Sequence, residues 1–274
     1  MTVKLIATDM DGTFLNDQKT YDNVRFHKLL ERMAVHDIHF VVASGNQYCH
    51  LVESFPDIKD NLTFIGENGS HIVHQGETLF EIFQSHKEIA ELVQFIKSNF
   101  PETVIALTGK TSAYMLKSND EDSLKTLRYY LPKLELVDSF SPIPRDDFFK
   151  SVLLMEPELT REIQVALNHH FESSSLIGTS SGFGCIDVIT KGYHKGWALQ
   201  RLLDEWGLTS ENLMVFGDGE NDLSMLKLAK YSYAMSNAPE NVKAHANFQT
   251  SSNNEDGVLQ AIEEYLNKLE GIIG

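Results

Sequence analysis

Short apolar runs rich in β-branched residues recur along the chain and stop abruptly at small, polar or acidic residues. Residues 3–7 run into Thr8-Asp9, residues 38–42 into Ala43-Ser44-Gly45, and residues 213–216 into Gly217-Asp218. Nearly continuous apolarity over so short a span is the pattern of a strand covered on both faces, as in a parallel sheet. Between these runs the apolar spacing becomes helical: Phe26, Leu29, Leu30 and Met33, then Leu199, Leu202, Leu203 and Trp206, a stripe stopped at Gly207. Strands alternating with helices predict an α/β fold with a doubly wound parallel sheet.

The middle of the chain follows a different pattern. Ser85-His86-Lys87-Glu88 reads as a capping box for a helix whose Ile89, Leu92, Val93 and Ile96 share one face, ending at Asn99-Phe100-Pro101. Strand-like runs follow at 104–107, 113–116 and 151–155, with helical patterns around 124–131 and 159–171. This predicts a separate α+β unit, residues 84–188, inserted into a core formed by residues 1–83 and 189–274. The closing amphipathic stretch, 258–269, reads as a packing helix.

Composition narrows the setting. The 274 residues carry 23 Lys plus Arg against 39 Asp plus Glu, a formal net charge of −16. So acidic a surface repels nucleic acid and anionic membrane, and neither is expected as a partner. It also repels phosphorylated metabolites, so a site for one needs local positive charge. Cys49 and Cys185 form no disulfide or zinc pattern, and the N-terminus has no signal-like apolar segment. A cytoplasmic location is expected.

The candidate chemistry lies where the buried runs end. In open α/β sheets, ligands bind in the crevice beyond the carboxyl ends of the strands. Asp9 and Asp11, two residues apart in Thr8-Asp9-Met10-Asp11-Gly12-Thr13, can share one metal ion there; an Asx turn is the alternative. An EF-hand is excluded, because Thr20 occupies the position that needs Glu. Gly217-Asp218-Gly219-Glu220-Asn221-Asp222 adds a second acidic cluster suited to a hard cation, or else a helix N-cap. Ser44-Gly45-Asn46 is read as opening a helix toward Phe55, with donors for an anion, although Ser-Gly is also an ordinary turn. Lys195, in Lys191-Gly192-Tyr193-His194-Lys195-Gly196, stands at a predicted helix N-terminus. A cation is unfavourable there without an anionic partner, unless it is simply solvated.

In this order, DMDGT, ASGN, a Lys before a helix and GDGEND resemble the four motifs of the haloacid dehalogenase-like phosphohydrolases. The resemblance spans the chain. VVASGNQY, Gly66-Glu67-Asn68-Gly69, Ser180-Ser181-Gly182-Phe183-Gly184 and Ala234-Met235-Ser236-Asn237-Ala238 make it similar to the Cof-type branch, particularly its sugar phosphatases. The resemblance implies a Rossmann-like core with an inserted α/β cap, and a phosphatase of small phosphorylated metabolites, sugar phosphates above all. It implies Asp9 as nucleophile and Asp11 as general acid and base. Mg²⁺ would be held by Asp9, the Asp11 carbonyl and Asp218, with Asp222 orienting its water. Substrate phosphate would be bound by Met10, Ser44, Gly45, Lys195 and Asn221. Asn46 departs from the Arg common at that position, leaving that role open. Asp11 itself argues against carbon–halogen chemistry. Ser180, Ser181, Gly182, Lys150, Phe183 and Tyr114 are cap candidates for substrate contact. A phosphotransferase or phosphomutase, and a non-catalytic sugar-phosphate sensor, are the rival readings.

Overall fold

The computed structural model describes residues 2–182 and 184–272. In chain order the first part holds β1 (Leu5–Thr8), α1 (Asn23–Val35), β2 (His39–Ala43), α2 (Tyr48–Leu51), β3 (Thr63–Gly66), β4 (His71–His74) and β5 (Glu77–Glu81). Then come α3 (His86–Asn99), β6 (Val104–Gly109), β7 (Ala113–Leu116), α4 (Glu121–Tyr130), β8 (Leu134–Val137), β9 (Phe148–Leu154), α5 (Thr160–His170), β10 (Leu176–Gly182) and β11 (Cys185–Thr190). The last part holds α6 (Lys195–Glu205), β12 (Leu213–Gly217), α7 (Leu223–Leu228), β13 (Tyr231–Met235), α8 (Glu240–Lys243), β14 (Phe248–Thr250) and α9 (Gly257–Leu269).

The first sheet has the order β14-β13-β12-β1-β2-β3-β4-β5. Its strands are parallel from β14 to β3, and β4 and β5 extend it antiparallel. Side chains alternate between two buried faces. Ile6, Phe40, Val42, Met214 and Phe216 pack against α1 and α9, whereas Leu5, Ala7, Val41, Ala43, Leu213 and Val215 pack against α6 and α7. Cover on both sides is why these strands are largely apolar, and it makes the core the expected doubly wound α/β fold.

The second sheet has the order β10-β11-β9-β6-β7-β8 and is antiparallel except for β7 with β8. One face packs Ile105, Leu107, Leu153, Ile186 and Val188 against Ile89, Leu92 and Ile96 of α3 and Ile163 and Leu167 of α5. Ser85 caps α3 by accepting from the Glu88 N–H, as its sequence predicts. On the opposite face α4 covers Val104, Ala106, Met115 and Val152 through Leu127. The rest of that face, with Thr108, Lys150 and Asp187, meets loops of the first sheet. Residue 189, the expected point of return to the core, falls inside β11, whose pairing with β10 continues to Thr190.

Candidate active site

Parallel pairing assembles the site. Thr8 at the end of β1 lies opposite Phe216 of β12 and Val42 of β2. The Asp9 N–H donates to the Phe216 carbonyl at 3.0 Å, so Asp9 and Asp218 leave adjacent strands together. Ser44 begins its loop on the other side of β1. Carboxylate oxygens of Asp9, Asp218 and Asp222 come within 4.8 Å of one another.

Lys195 is wholly buried among them. Its Nζ donates to Asp9 Oδ1 at 2.6 Å and to Asp222 Oδ1 at 2.7 Å. Burial works against the ammonium, but Asp222 and Asp9 outweigh it and hold its pKa above the ordinary lysine value. The anionic partner that a cation at a helix N-terminus requires is thus a pair of carboxylates. The other oxygen of Asp222 accepts from the N–H groups of Asp218 and Gly219, both at 2.9 Å. Asp222 thus ties the loop to Lys195. Thr13 Oγ donates to Asp218 Oδ1 at 2.6 Å. Gly12, at φ +76°, is needed here, since a Cβ would stand 2.6 Å from Asp218 Oδ2.

Lys195 bonds two of the three carboxylates, and the negative charge gathered here exceeds the one ammonium, which bears on Asp9 and Asp218. Burial pushes Asp9 well above the ordinary carboxylate value; Lys195 opposes this, and Asp222 and Asp218 add to it. Burial and then Asp222 push Asp218 up to about 6. An all-oxygen, over-anionic donor set of this kind suits a hard divalent cation such as Mg²⁺.

Asp11 has two anchors that its sequence context did not reveal. Lys19 Nζ donates to its Oδ1 at 2.5 Å and Asn46 Nδ2 to its Oδ2 at 2.9 Å. Asn46, open in its role on sequence grounds, holds the second carboxylate of the DxD pair. The segment around it differs from expectation. The helix after β2 begins at Tyr48, with Gln47 at its N-cap, and continues as a 3-10 turn to Ser54, toward Phe55 as expected; Ser44 and Gly45 lie in the preceding loop instead of at its N-terminus. That loop is held by other means: the Ser44 carbonyl accepts from the Asn68 N–H at 3.0 Å, and Ser44 Oγ accepts from the Asn46 N–H at 3.1 Å.

A profile of the haloacid dehalogenase-like hydrolase family matches residues 6–262. The chain belongs to the haloacid dehalogenase-like hydrolases. Among relatives of this family, it is 42% identical over 267 residues to the 5-amino-6-(5-phospho-D-ribitylamino)uracil phosphatase YbjI of Escherichia coli, covering 97% of each chain. It is 27% identical to the Bacillus subtilis protein YcsE, which carries the same phosphatase name, covering 96% of each. The crystal structure of SMU.1108c from Streptococcus mutans superposes with a TM-score of 0.95 at 53% identity, covering 97% of this chain and 99% of that one.

Of the other sequence candidates in this hydrolase, Asn221 Nδ2 donates to Asn68 Oδ1 at 3.2 Å. Met10 is buried against the apolar cluster of α1. β10, which carries Ser180, Ser181 and Gly182, packs beside the Glu220–Asp222 turn. Tyr114 belongs to the buried cluster of α3 and α5 and donates to Asp146. Phe183 lies outside the described residues. Lys191 donates to the carbonyls of Phe171, Glu172 and Ser174 beyond the end of α5. Lys19, Asn68 and Asp187 went unassigned on sequence grounds. The available signal was a charged residue inside an apolar strand run, as Asp187 is in Cys185–Thr190.

Proposed function

We propose that this chain is a phosphoric monoester hydrolase acting through an aspartyl-phosphate on Asp9. The observation that carries the reading is the buried ammonium of Lys195 on Asp9 Oδ1, which orients the carboxylate at the open end of β1. Asp9 attacks phosphorus in line; the bond from phosphorus to the leaving oxygen breaks as the Asp9–phosphorus bond forms. Asp11 donates a proton to the departing alkoxide. It then takes a proton from the water that attacks phosphorus and frees Asp9. Anchoring of both Asp11 oxygens by Lys19 and Asn46 holds this group at one position through both steps. Ser44, the N–H groups of Met10 and Gly45, Asn221 and Lys195 bind the phosphate oxygens.

Asp9, the Asp11 carbonyl and Asp218 are the groups that would hold Mg²⁺, with Asp222 fixing their loop. When bound, the ion neutralises charge on the phosphoryl group and relieves its repulsion from Asp9.

The substrate is a small phosphorylated metabolite of the sugar-phosphate kind. The names of the Escherichia coli and Bacillus subtilis relatives favour a phosphorylated sugar alcohol attached to a uracil ring. Residues 84–188 serve as the cap that selects it. The free thiols of Cys49 and Cys185 fit a reducing compartment, the cytoplasm.

The test is release of inorganic phosphate from a panel of phosphorylated sugars, sugar alcohols and nucleotides, with and without an acceptor alcohol. Asp9→Asn should lower turnover by roughly 10³-fold or more while leaving the folded state intact. Wild-type-like turnover by that variant removes the nucleophile. Product that depends on acceptor, with negligible free phosphate, makes the enzyme a phosphotransferase.

A further inference from the structure

A buried charge cluster joins the second sheet to the loops that carry the site. Lys150 of β9 is 4% exposed, Asp187 of β11 3% and Glu67, just after β3, 1%. Lys150 Nζ donates to Asp187 Oδ1 at 2.8 Å and to the Gly45 carbonyl at 2.8 Å, with Glu67 Oε2 at 3.9 Å. Asp187 Oδ2 accepts from Asn68 Nδ2 at 2.7 Å. Burying such ions costs several kcal/mol each. Lys150 and Asp187 could satisfy each other within their own sheet, yet both also reach the opposite one.

Their targets are the supports of the phosphate-binding groups. The Asn68 N–H holds the Ser44 carbonyl at 3.0 Å, the Glu67 N–H holds the Asn46 carbonyl at 3.0 Å, and Asn68 Oδ1 receives Asn221. Glu67 and Asn68 both have positive φ, +51° and +57°, which is uncommon for non-glycine residues, and both are buried. Gly45 leaves room for the contact: a Cβ there would lie 3.1 Å from Asp187 Oδ2 and 3.2 Å from Asn68 Nδ2. The Gly45–Asn46 peptide is the key link. In a planar trans peptide the C=O and N–H point in opposite directions. Lys150, by fixing the Gly45 carbonyl, therefore aims the Asn46 N–H at Ser44 Oγ. The Ser44 hydroxyl accepts there and directs its own proton elsewhere, while the Asn46 side chain is set against Asp11.

Resting on the phosphatase reading above, we propose that Lys150 and Asp187 are positioning residues. Through the Gly45 carbonyl and Asn68 they hold Ser44, Asn46 and Asn221 in register with the substrate phosphate. The second sheet thus acts on the chemistry as well as on the leaving group.

The test uses the full chain with Mg²⁺, p-nitrophenyl phosphate and a phosphorylated sugar alcohol as substrates, and inorganic phosphate as competitive inhibitor. Lys150→Met should lower kcat/KM about 10–100-fold, equally for both substrates. It should raise the inhibition constant of phosphate about tenfold, in a protein whose unfolding midpoint stays above the assay temperature. Asn68→Ser should do the same, and the double variant should fall short of the product of the two single effects, since Lys150 and Asn68 are both bonded to Asp187. Wild-type kinetics in either folded variant overturn the proposal. So does a loss confined to the larger substrate, which would make Lys150 a leaving-group contact, and so do fully multiplicative effects in the double variant. If Lys150→Met does not fold, Asn68→Ser alone decides. Failure of the wild-type protein to hydrolyse either substrate or to bind phosphate would instead sink the phosphatase reading, and this proposal with it.

Discussion

Replacing Lys195 by Met tests how the acidic centre is held together. The ammonium lies 2.6 Å from Asp9 and 2.7 Å from Asp222, with no exposure to solvent. At an effective dielectric near 20 each contact is worth about 6 kcal/mol before desolvation. Most of that is offset by the cost of burying the charges. Removing one partner alone leaves carboxylates buried without compensation, for which a loss of about 3–5 kcal/mol is expected. Equilibrium unfolding in urea with chelator present should show that loss, and the thermal midpoint should fall by roughly 10 °C. Adding Asp222→Asn to Lys195→Met should recover about 1–3 kcal/mol, because the second change removes a charge the first left stranded. Mg²⁺ should stabilise the single variant more than the wild type. A loss below about 1 kcal/mol, or an Asp222→Asn effect that simply adds a further loss, would refute the view that Lys195 balances an over-anionic cluster.

Chelation of divalent ions should abolish phosphate release and Mg²⁺ should restore it; an unchanged rate in chelator removes the metal from the site. Asn46→Ala frees one oxygen of Asp11, and kcat for phosphate release should fall about 10–100-fold with little change in KM. An unaltered kcat would show that Lys19 alone suffices. Burial, opposed by Lys150 and reinforced by Asp187, pushes Glu67 up to about 7 from an ordinary value of 4.5. Because the folded state holds this proton more tightly than the unfolded one, the associated stability is complete below about pH 4.5 and is lost as pH rises through about 7. Glu67→Gln should therefore stabilise the protein at pH 8 by up to about 3 kcal/mol and hardly at all at pH 4.5. Urea unfolding at the two pH values checks this, and equal effects at both would contradict the assignment.

Sequence alone revealed the elements that follow directly from periodicity. Strands covered on both faces have to be largely apolar, so β1, β2 and β12 stood out, and Ser85 with Glu88 marked the start of α3. The acidic residues were legible because they interrupt those runs at the open end of the sheet. Ser44 and Gly45 could be placed at a strand end on the same ground, but the later start of the following helix, at Tyr48, could not, since a loop held by Asn68 and Glu67 leaves no local signature. What bonds to what was decided only by the tertiary structure. Lys195 meets Asp9 across 186 positions of chain, and Asp187 meets Asn68 across 119. Local propensity carries no information over such separations. They arise from strand register, which fixes neighbours, and from burial, which forces each charge to find a partner.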